Sequence, residues 1–169
     1  MKRILALLFV TVMTIGIIGC GKKEGSGAED SIAAKNIEGT CSEILAKVYE
    51  NADLDPDLRE AMQYYENIEI PEESMEYILG TTEVAYSDSV YSAPMMSSVA
   101  YQCVVLRVAE GADVEAAKQL LLDNADPVKW VCVEAESVVV ENVGDVILYV
   151  MCDNATAEAV KASFLALSE

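Results

Sequence analysis

The chain has 169 residues, 53% hydrophobic and 24% charged, with 11 Lys and Arg against 29 Asp and Glu, no histidine and a formal charge of −18. That length suits one domain of ordinary size. Without an imidazole there can be no Ser-His-Asp or Cys-His relay and no histidine zinc site. A chain this acidic repels phosphate backbones, so no nucleic-acid partner is expected.

The first element is a targeting segment. Met1-Lys2-Arg3 is a short basic start, and the uncharged run to Ile18 is rich in Leu, Ile and Val but short of the ~20 apolar residues that a spanning helix needs. It ends in Ile17-Ile18-Gly19-Cys20, which is similar to the bacterial lipoprotein signal. A small Gly19 lets a peptidase approach the backbone, and only the thiol of Cys20 can form a thioether to diacylglycerol. Residues 1–19 are therefore expected to be a signal peptide cleaved before Cys20, which is left carrying acyl chains. Each buried CH₂ adds ~0.8 kcal/mol of membrane affinity, so two chains hold where one would not. Residues 20–37, with Gly25-Ser26-Gly27, read as a flexible tether. The folded domain spans 38–169, and cleavage makes the mature chain more acidic by removing Lys2 and Arg3.

Within the domain, Thr40-Cys41-Ser42-Glu43 has capping-box spacing, and Ile44, Leu45 and Val48 share a helical face, which predicts a helix over 41–51. Asp55-Pro56 starts a second helix running to about Tyr65. The stretch 72–79, between Pro71 and Gly80, fits a helical turn or the approach to a strand. A short strand is expected over 82–86, then a Ser-rich loop or irregular edge over 87–98 containing Pro94, then a Val-rich strand over 99–108. Asp113 caps a helix to about Asn124. Strands at 138–141 and 146–151 flank the hairpin punctuation Asn142-Val143-Gly144-Asp145, and Asp153 or Asn154 starts a last helix bearing Val160, Phe164 and Leu167. The expected fold is a single α+β domain: a mainly antiparallel sheet of about four strands with helices packed on one face.

Taken together, the lipoprotein cysteine, the polar tether, Pro71-Glu72-Glu73, the segment Ala93-Pro94-Met95-Met96-Ser97-Ser98-Val99 and the Gly144-Asp145 hairpin resemble a family of small Gram-positive exported lipoproteins known as a domain of unknown function. The resemblance covers most of 41–167. It implies a cell-surface location and no particular activity. Where the family shows basic residues after the central strand, this chain has only Lys118 and Lys129.

Candidate chemistry is sparse. Cys41, Cys103, Cys132 and Cys152 could form two disulfides, but three of them sit in or beside Val-rich runs, where burial as free thiols is the simpler reading. There is no C-x-x-C, and no metal site or cofactor is expected. Asp53, Asp55 and Asp57 alternate as in a calcium loop, yet Leu58 and Tyr64 stand where that loop needs Gly and a carboxylate, so capping explains the acids better. Glu72-Glu73 and Glu134 with Glu136 read as solvated acids. Tyr86, Tyr91, Met95 and Met96 gather aromatic and thioether groups around the Ser-rich stretch and form the candidate interaction surface. Trp130 reads as a packing anchor.

The functional expectation is a lipid-anchored, non-enzymatic domain on the outer face of the cell membrane. Its partner would be an envelope protein, a cationic peptide or a small ligand. The alternative is an accessory or substrate-binding lipoprotein of a membrane transporter. A carboxylate-dependent hydrolase of the cell envelope stands third, since it needs two carboxyls ~5–9.5 Å apart in a cleft.

Overall fold

The structure, a computed structural model, describes residues 36–96 and 98–168, which belong to one unit of the chain. The expected signal peptide, Gly19, Cys20 and residues 20–35 of the tether lie outside the described residues.

Helix starts follow from side chains that satisfy the first amides. At α1 (Cys41–Asn51) the capping box is complete: Thr40 Oγ1 accepts from Glu43 N at 3.2 Å, and the Glu43 carboxylate accepts from Thr40 N at 2.8 Å. Asp55 caps α2 (Pro56–Ala61), accepting from the amides of Asp57 and Leu58, so this acid is a cap as expected. The helix ends before Tyr65 in a 3-10 turn over Met62–Tyr64. The stretch left open between Pro71 and Gly80 is helical, a 3-10 turn at Glu72–Ser74 leading into α3 (Met75–Leu79). Asp113 caps α4 (Val114–Asp123) and Asp153 caps α5 (Asn154–Ala166).

The strands are β1 (Glu66–Ile68), β2 (Tyr86–Ala93), β3 (Gln102–Val108), β4 (Ser137–Val143) and β5 (Val146–Cys152). They form one sheet in the order β1-β2-β3-β5-β4 with every neighbouring pair antiparallel. The α+β fold with an antiparallel sheet is as expected, with five strands rather than about four. The Ser-rich stretch 87–98, expected as a loop or irregular edge, is for the most part the strand β2. Its serines give a weak strand signal, but pairing with β1 on one side and β3 on the other overrides local preference. The short β1 has three exposed residues and no alternation to betray it.

The helices cover both faces of the sheet rather than one. Cys103 and Val105 of β3 and Leu148 and Val150 of β5 pack with Ile44, Val48, Val160 and Phe164 of α1 and α5. The alternate residues, Val104, Leu106, Ile147 and Tyr149, pack with Ile78 and Leu79 of α3 and with Ala117 and Leu121 of α4. A strand covered on both sides has no solvent face, which is why all seven residues of β5 are buried and why it reads as an unbroken apolar run.

The strands define two ends. At one end the β4–β5 turn is pinned to the start of the described chain. The Arg107 guanidinium donates to Asp145 Oδ1 at 2.6 Å and to the carbonyls of Ile37 and Gly39 at 2.9 Å, while Asp145 N donates to Asn36 Oδ1 at 3.2 Å. Gly144 holds a left-handed φ of 57°, and a Cβ there would overlap the Asn36 side chain. The other end carries the candidate site.

Candidate functional site

At this second end the register brings Gln102 beside Met151, and Ser137 beside Cys152. The β2–β3 connection and the long segment 124–136 between α4 and β4 therefore enter β3 and β4 at the same end of the sheet, on either side of β5. Lys129 is the centre of the latter. Its ammonium donates to the carbonyl of Tyr77 at 3.0 Å and to Gln102 Oε1. Gln102, fully buried, uses its Nε2 to donate to Ile78 O at 3.0 Å. Lys129 Nζ also lies 4.5 Å from the centre of the Tyr77 ring and 5.4 Å from that of Trp130, within the range of cation–π attraction. Burial lowers the Lys129 pKa to about 8 despite the opposing charge of Asp126. Glu76, Asp126, Tyr149 and Met151 complete a cleft of about 180 Å³ around it. Two acceptors and two ring faces make this amine a pin joining α3, β3 and the 124–136 segment.

Several apolar side chains, here called the strip, lie at the same end of the sheet as the pin. Tyr77 is 55% exposed and lies near Tyr91, whose hydroxyl is pushed up to about 12 by burial first and then by Tyr77 and Glu66. Ile68 stands directly opposite Tyr91 across the β1–β2 pair and is itself exposed. Beyond Ala93, paired with Glu66, the chain turns through Met95 and Met96, 76% and 71% exposed. Val128 and Val131, beside the cleft, are also largely exposed.

Of the residues singled out in the sequence, Tyr91, Met95 and Met96 lie toward this end. Tyr86 does not. It starts β2 at the other end, opposite Val108 and near Glu69 and Glu72; seven residue steps at ~3.3 Å place it ~23 Å away. Tyr77 and Gln102 are not singled out in the sequence, and Lys129 stands out there only as one of two bases after the central strand. A glutamine heading a Val-rich strand and a lysine beside the only tryptophan were the available signals, and neither specifies its partner.

Cys41, Cys103 and Cys152 are buried and Cys132 exposed, all as free thiols. Burial raises the pKa of Cys41 and Cys103 to about 12 and that of Cys152 further, so these thiols are inert hydrophobes rather than nucleophiles. Beside Cys103, the Tyr49 and Tyr101 hydroxyls share a hydrogen bond of 2.8 Å, and Tyr65 stacks obliquely on Tyr101 with ring centres 5.1 Å apart. Among the described residues no group of three or more acids or cysteines is placed to hold a metal ion, and no helix is long and apolar enough to cross a membrane. Comparison with family models, curated proteins and solved structures finds no match to this chain.

Proposed function

We propose that this protein is a lipid-anchored, non-enzymatic binding module outside the cell membrane, which recognises an envelope polypeptide with the loop end of its sheet. The observation that carries the reading is the set of exposed apolar side chains Tyr77, Met95 and Met96, with half-buried Tyr91 behind them, at the end of the sheet opposite Asn36, where the tether joins. Clustered exposed apolar side chains cost solubility unless a partner uses them, and Met and Tyr adapt well to such contacts. Anchorage through Cys20 rests on the sequence of the first twenty residues, and so does the resemblance to Gram-positive lipoproteins.

Two experiments test this. Cys20→Ser should move the protein from the membrane fraction to the medium; retention on the membrane would show an uncleaved signal anchor instead. In capture from solubilised envelope, Met95→Asp/Met96→Asp should lose a partner that a Lys118→Gln variant, altered near the opposite end, keeps. A partner indifferent to the methionine pair, or none at all, overturns the assigned surface.

A further inference from the structure

The strip has an electrostatic character of its own. The outward charges beside it are carboxylates: Glu66 next to the Met95 turn, and Glu76 and Asp126 around the cleft. On this face of the sheet the described bases are Lys118 and Lys129. Lys118 is held by Asn142 and Glu115 near the opposite end. Lys129 is turned inward, its protons given to Tyr77 O and Gln102 Oε1 and its charge covered by two rings. Among the described residues on this face, the fold thus turns the one base at this end inward and leaves Glu66, Glu76 and Asp126 facing solvent.

Resting on the binding reading above, we infer that the strip receives a basic, amphipathic peptide segment. Its apolar side chains lie against Tyr77, Met95 and Met96, and its lysines or arginines meet Glu66, Glu76 and Asp126. A second copy of the chain is disfavoured because it would bring the same acids face to face, and an anionic lipid surface is repelled for the same reason. Apolar contact supplies affinity, while the carboxylates steer the approach and select the charge sign.

The single tryptophan makes the site its own reporter, since the Trp130 ring lies 5.4 Å from the Lys129 ammonium at the cleft. The mature chain carrying Cys20→Ser is titrated with three helical peptides that share one leucine face and carry Lys, Gln or Glu on the other, following Trp130 emission. The Leu/Lys peptide should bind at least about tenfold more tightly than Leu/Gln, and Leu/Glu should not bind. Raising ionic strength from about 0.01 to about 0.15 M, which shortens the screening length from ~30 to ~8 Å, should weaken Leu/Lys about tenfold and leave Leu/Gln unchanged. Glu76→Gln/Asp126→Asn should bring Leu/Lys towards Leu/Gln. Equal binding of Leu/Lys and Leu/Gln overturns the charge selection and leaves the apolar surface standing. Binding of none of the three overturns the inference; if envelope capture also fails, the binding reading falls with it. A dimer by sedimentation whose formation Met95→Asp/Met96→Asp abolishes would show a second copy as the occupant and equally overturn it.

Discussion

At the scale of single residues, Lys129 shows how burial and partners compete. Removing an ammonium from water favours its neutral form, whereas Asp126 and the ring faces of Tyr77 and Trp130 favour the charged one; burial prevails and leaves the pKa at about 8. Because Trp130 lies beside the titrating amine, its emission should change with a midpoint near pH 8. Lys129→Met should abolish that transition, and persistence in the variant would assign it to another group. The sequence could not have announced this arrangement. Lys129 is one of several lysines in an acidic chain, and its acceptors lie far away in sequence at Tyr77 and Gln102. By contrast, Thr40 with Glu43, and Asp55, Asp113 and Asp153, were legible as caps because a cap and its amides lie within three residues.

Elements were legible in proportion to how local their causes are. The periodic helices α1, α4 and α5 and the β4–β5 hairpin stand close to where the pattern places them. By contrast, β1 and the Ser-rich β2 exist because of their neighbours in the sheet. The junction of α3 with α4 is another tertiary feature. Gly80 ends α3 with a left-handed φ of 76°, and a Cβ there would overlap the backbone oxygen of Asn124, at the end of α4. The left-handed conformation alone costs a side chain ~1–2 kcal/mol, and the overlap forces the two helix ends apart. Gly80→Ala should therefore lower the melting temperature by at least ~5 °C and, since Gly80 lines the Lys129 cleft, shift Trp130 emission even below the melt. An unchanged melt would mean that the helix ends separate without loss.

For the whole molecule, the titratable groups of the interior set the response to alkali. Burial raises the folded-state pKa of the Cys41 and Cys103 thiols from an ordinary 9.0 to about 12, and raises Cys152, Tyr49 and Tyr101 as well. A raised value means that the unfolded chain releases these protons first. The stability they contribute is complete below pH ~9 and is lost as pH climbs towards 12. Lys129 acts in the opposite sense: lowered from 10.5 to about 8, it favours the folded state increasingly between those values. Several raised groups outweigh the one lysine, so the melting temperature should fall steadily above pH ~9, and more steeply in Lys129→Met. A melting temperature that holds to pH 11 would show that the interior admits water. The absence of histidine removes the usual inflection near pH 6.5.

Composition and periodicity by themselves determined that this is a single α+β domain with an antiparallel sheet, where the periodic helices lie and which side chains cap them, because those properties arise within a few residues of each other along the chain. Only the tertiary structure decided that helices cover both faces of the sheet, that Tyr86 parts from Tyr91, Met95 and Met96, and that Lys129 is folded under Tyr77 and Trp130. Each of those outcomes depends on strand order and register, which join residues tens of positions apart through hydrogen bonds and packing that no local pattern encodes.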